Sequence, residues 1–159
     1  MKTYVITLSR TFPQTHQRAG EPTFFKDKFH AAITSNDAYW NKLHTIRANY
    51  ELWKKRFEQI KSGDACLSIR QWAGKPYASK QVEIATLTKD DGIGLQKLEF
   101  YKGCLQQPIH SCGLTIKAER LAQNDGLSFA DWIGWFSGSA NYDLSKPFAI
   151  IHFTKFRYY

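Results

Sequence analysis

Long apolar runs are missing from this chain: no stretch approaches the ~18 residues that suggest a membrane span. A secretory leader is not expected either, because Thr3, Thr7 and Ser9 interrupt MKTYVITLSR, which alternates like a strand instead. Cysteine is scarce. Cys66, Cys104 and Cys112 are odd in number and form no C-x-x-C pair, which excludes a disulfide framework and fits a reducing cytoplasm, with the thiols as small buried hydrophobes. Cys104, His110 and Cys112 have neither the spacing nor the ligand count of a structural zinc site, and no H-E-x-x-H occurs. No metal or cofactor is therefore expected.

Acidic residues are also few. Fourteen Asp and Glu stand against 22 Lys and Arg, a formal charge of +8. Such a balance favours polyanionic partners, and RNA or a modified nucleoside is the partner expected, with no membrane. At 159 residues the chain can bury one sizeable core, so one domain over 1–159 is the default.

What is present is a succession of short periodic segments. Tyr4–Leu8 is rich in β-branched and aromatic residues and reads as a strand that Pro13 stops. Phe25, Phe29 and Ala32 stand at helical spacing and send both phenylalanines to the core. An extended segment from Lys42 to Asn49 follows the break at Thr34–Asp37. In it Thr45 and Arg47 share one side, toward a rim or cleft, while His44 and Ile46 share the other. Asn49 caps a helix over Tyr50–Lys61 with an apolar stripe of Leu52, Trp53, Phe57 and Ile60. Strands are expected at Ala65–Trp72, Tyr77–Leu87 and Gly94–Tyr101, the first two as an antiparallel pair. Lys102–Gly113 has no readable pattern, and Leu114–Leu121 fits neither period cleanly. Ser128 with Asp131 starts a helix that Gly138 ends, and Pro147 opens a closing strand from Phe148, expected to join the sheet of Tyr4–Leu8.

Lys42-Leu43-His44-Thr45-Ile46-Arg47 resembles the K-x-x-T-x-R segment of the ASCH domains, and Gly63-Asp64 matches the strand start that follows it there. Ala122–Ser128 resembles the family's later helix entry, and Phe148–Phe153 its closing strand. The resemblance implies an α+β fold, a PUA-like β-barrel with flanking helices. It implies RNA or nucleoside binding through a basic cleft or, as an alternative, a small hydrolase of acylated nucleosides or RNA phosphodiesters. In such a hydrolase Lys42 would take the proton from the Thr45 hydroxyl. The family's third group is a glutamate, and Asp125 stands in its place with a carboxylate shorter by one methylene. The helix at Tyr50–Lys61 and the long segment between Leu87 and Leu121 also depart from the compact members.

Read from the residues alone, Arg47 would clamp a phosphate or stack on a base. Arg70, Trp72, Lys75, Tyr77 and Lys80 interleave basic and aromatic groups as a single-strand binder does, and Ser9-Arg10 would add an anion contact. A domain that uses its basic face on a protein is the remaining alternative. His16, in the polar loop after Pro13, has no partner visible in the sequence.

Overall fold

The computed structural model describes residues 1–34, 41–110, 113–138 and 141–159, without the side chains of 109 and 110. The break expected at 35–37 and the thiol of Cys112 lie outside these residues.

Seven strands and four α-helices follow one another along the described chain: β1 (Lys2–Thr7), α1 (Phe25–Thr34), β2 (His44–Ala48), α2 (Tyr50–Ser62), β3 (Ala65–Trp72), β4 (Gln81–Leu87), β5 (Gly94–Phe100), β6 (Pro108–His110), α3 (Ala118–Asn124), α4 (Phe129–Ser137) and β7 (Phe148–His152). The caps anticipated from sequence are present. The Asn49 side chain accepts from the Leu52 N–H with its own backbone left-handed, at φ 66°, a conformation that asparagine tolerates. Ser128 accepts from the Asp131 N–H at the start of α4.

The strands form two sheets. One is three-stranded in the order β1-β3-β4, with β1 and β3 parallel from Lys2 opposite Ala65 to Thr7 opposite Arg70. The other is four-stranded and antiparallel, β2-β7-β5-β6. Each sheet keeps two edge strands, and among the described residues no ladder joins one sheet to the other, so the PUA-like barrel expected from the ASCH resemblance is not formed. The chain leaves the first sheet after β4. There a capping box closes on Thr88 and Asp91, and Gly92 turns at φ 78°, which delivers β5 to β7. For the same reason β7 does not join β1; it lies between β2 and β5.

The central strands carry most of the burial. β7 is buried along its whole length and β3 from Ala65 to Ile69, whereas the edge strand β1 is largely exposed up to Tyr4. One apolar cluster takes Ile6, Leu67 and Ile69 from the first sheet, Leu98, Phe148 and Ile150 from the second, and Phe29, Phe57 and Trp132 from the helices. α2 buries Trp53, Phe57 and Ile60 but leaves Leu52 about 40% exposed, one residue short of the stripe expected. No helix among the described residues is long and apolar enough to cross a membrane.

Candidate ligand-binding cleft

The entry to β2 is pinned from two sides. The Lys42 N–H donates to the Lys28 carbonyl of α1 at 3.0 Å, and the Leu43 N–H to the Asn124 carbonyl of α3 at 2.8 Å. Asp125 caps the C-terminus of α3 through its own N–H. Gly126 then turns at φ +84°, where a side chain would also meet Lys42 Cβ at 3.3 Å. Only glycine combines that backbone with so close an approach. The Asp-Gly pair read as a turn therefore brings Asp125 onto Lys42.

Both residues are buried. Lys42 Nζ donates to the Asp125 carbonyl at 2.7 Å and to Oδ1 at 2.8 Å, and lies 4.0 Å from the centroid of the Phe25 ring. Two hydrogen bonds and a cation–π contact thus use all three directions of the ammonium. Burial pushes the Lys42 pKa down and the Asp125 pKa up; their mutual contact pulls each back toward its ionised form. So placed, the Lys42 amine is committed to Asp125, and a proton-accepting role toward Thr45 would first require breaking this contact.

Lys42, Thr45 and Asp125 line one cleft with Ser9 and Arg47. The Arg47 Nη2 donates to the Thr7 carbonyl at 2.8 Å, which links β2 to β1, yet its Nε is buried without a partner. Burial lowers the Arg47 pKa, opposed by Tyr142 and Asp125, but a guanidinium stays charged. Among the described residues the Thr45 hydroxyl makes no side-chain hydrogen bond, and the Trp132 indole N–H, without a hydrogen bond of full geometry, faces the Asp125 carboxylate and helps to hold its pKa down. Phe25, Trp135, Phe136 and Tyr142 supply the apolar walls of this space of about 100 Å³.

Of the other residues expected at a site, only Ser9 borders the cleft, and its hydroxyl donates to the Thr11 carbonyl at 2.6 Å. Arg10 donates to the Ala73 carbonyl, and with Trp72 and Lys26 borders a separate groove of about 270 Å³. Arg70 donates to Ser68 Oγ at 2.8 Å, and Ser68 to Glu83 at 2.6 Å, the bond that chiefly holds Glu83 below its ordinary pKa. Lys75, Tyr77 and Lys80 are exposed at the β3–β4 turn, with Tyr77 packed on Trp72 at 5.2 Å between centroids. Arg47 and Arg70 therefore share no groove among those lined by described residues.

His16 is structural: its Nδ1 accepts from the Arg18 N–H at 2.9 Å, so the proton sits on Nε2, which donates to the Asp131 carbonyl at 2.9 Å. The sequence reading missed the walls. Trp135 lies one turn from the core residue Trp132, a spacing that marks an apolar face without saying that part of it borders a cleft. It also missed Tyr158, whose hydroxyl lies 2.6 Å from His44 Nε2.

No protein-family model matches the chain, and no curated protein or solved structure shows significant similarity to it. The ASCH resemblance fails on this count as well as on the open sheets. With it goes the reading as an ASCH-type RNA- or nucleoside-binding barrel, and the hydrolase alternative that the resemblance carried.

Proposed function

We propose that the cleft binds the amide edge of a small planar ligand: a carboxamide, a ureido group or a ring lactam. The observation that carries this is the Nε of Arg47, a buried charged donor that has no partner among the described residues and belongs to a residue lining the cleft. Leaving such a donor unpaired is costly, and a ligand carbonyl would satisfy it. On the same cleft, Asp125 offers an acceptor for the ligand N–H, and the Thr45 hydroxyl can serve either group. A donor and an acceptor on one cleft match an amide and disfavour a simple carboxylate, which Asp125 would repel. The aromatic walls suit a flat group.

Size narrows the class. A space of about 100 Å³ compares with ~30 Å³ for a water molecule and ~150 Å³ for an engineered cavity that holds benzene. One functional group with part of a ring enters, and the remainder of any larger ligand lies outside. The basic charge makes a modified nucleoside or RNA presenting a lactam edge the natural comparison partner.

Titration of the labelled protein with benzamide, uracil, uridine and acetate, followed by NMR, tests the reading. Amide-bearing probes should shift Thr45, Arg47 and Asp125, and Arg47→Lys, which keeps the charge but loses the planar donor, should weaken binding by roughly tenfold or more. Acetate binding as well as benzamide, or no probe moving these residues, would overturn it.

A further inference from the structure

Behind the acceptor side of the cleft lies a buried polar chain that the ligand reading does not use. His44, on β2, is fully buried, and so is His152 on β7, with their rings edge to face at 5.5 Å. Tyr158 closes over them. Its hydroxyl lies 2.6 Å from His44 Nε2 and accepts from Asn124 Nδ2 at 2.9 Å. On the far side of the His44 ring, Nδ1 has no hydrogen bond and stands 3.9 Å from Asp125 Oδ1.

Counting protons resolves the arrangement. The Tyr158 oxygen has one hydrogen, and since Asn124 donates to that oxygen, the hydrogen is available for His44 Nε2. Nε2 is then an acceptor, and the single proton of a neutral imidazole sits on Nδ1, facing the carboxylate. The opposite tautomer would set the Nδ1 lone pair against an anionic oxygen and leave the phenol hydrogen unused. Burial, reinforced by His152 and Lys42, keeps His44 neutral. The other groups packed here hold to their own partners: His152 Nε2 donates to Gln96 Oε1 at 2.9 Å, and the Arg120 guanidinium lies over the Tyr158 ring at 5.7 Å.

We propose that Tyr158 is a positioning residue for the cleft: it holds His44 as the Nδ1–H tautomer, so that an N–H rather than a lone pair faces the Asp125 carboxylate across 3.9 Å and favours its anionic form beside Lys42. A residue remote from the cleft thereby acts on the acceptor that the ligand meets. The effect on ligand affinity rests on the amide reading; the tautomer does not.

The ring nitrogens of His44 in the labelled full chain, read by ¹⁵N NMR at neutral pH, test the assignment without a variant or a ligand. A protonated Nδ1 and a bare Nε2 are expected, and the reverse overturns the proposal. In Tyr158→Phe the tautomers should mix, the Asp125 carboxyl titration followed by ¹³C NMR should move further up, and benzamide binding should weaken by roughly three- to tenfold. If that variant does not fold, Asn124→Ala, which removes the donor to the phenol oxygen, should give the same changes in smaller measure. A pure Nδ1–H state with an unmoved Asp125 in the folded variant would overturn the proposal. Should benzamide fail to bind the wild-type chain, the amide reading falls while the two spectroscopic outcomes still decide the role of Tyr158.

Discussion

The cleft and the turn joining β3 to β4 are built from the same residue types. The cleft has Lys42 and Arg47 among Phe25, Trp135 and Tyr142, and the turn region has Arg70, Lys75 and Lys80 around Trp72 and Tyr77. They differ in what each charge has lost. Lys42 has given up water and is repaid by a carboxylate 83 positions away, whereas Lys75 and Lys80 remain solvated. Trp72 finds its aromatic partner five residues on, inside the same turn. A basic and aromatic stretch is therefore a weak sign of a site unless its charges are desolvated, since only then does an unpaired donor such as Arg47 Nε strongly favour a ligand.

Acid should break the comparison most forcefully. Burial holds the His152 pKa down, from 6.5 to about 3, and His44 well below its ordinary value. Below pH ~6.5 the unfolded chain takes up protons that the folded chain refuses, so stability present above that pH is lost as it falls toward 3. For His152 alone the loss amounts to as much as ~5 kcal/mol. Urea unfolding across this range should show the slope, and His152→Gln should flatten it. Next in size is the ion pair. Asp125→Ala leaves Lys42 buried and uncompensated and should cost ~3–5 kcal/mol in the same assay. Smallest is the joint change of Lys75 and Lys80 to alanine, which should leave the unfolding midpoint where it was; a clear drop would show that the turn carries buried electrostatics after all.

Legibility in the sequence follows the range of the interaction. The bounds of β3, the Asn49 cap and the Ser128–Asp131 start of α4 rest on neighbours within a few residues, and each was readable. Lys42, Thr45 and Asp125 were singled out together, and they do line one cleft. Strand partnership was not readable, because the alternation of Phe148–His152 suits either sheet; only the turn at Gly92 decides which strands it meets. Nor was the Tyr158–His44 bond, which spans 114 positions and joins two residue types that pair with many others. The surroundings of Lys42 were not readable for a related reason: the K-x-x-T-x-R resemblance singled out the side chain, but not the Phe25 ring and the Asp125 carbonyl that it meets.

The polar side of the cleft depends on distant pairing. Arg47 reaches Thr7 across 40 positions, Lys42 reaches Asp125 across 83, and β1 is held by β3 from about 63 positions away. No partly folded fragment with only local contacts can assemble it. Any molecule seated there recognises the native state alone and stabilises it by mass action, adding ~1.4 kcal/mol for each tenfold excess over its Kd. The cleft is in that sense a gauge of the whole fold, so a shift in thermal midpoint on adding a compound would report occupancy before any activity is known.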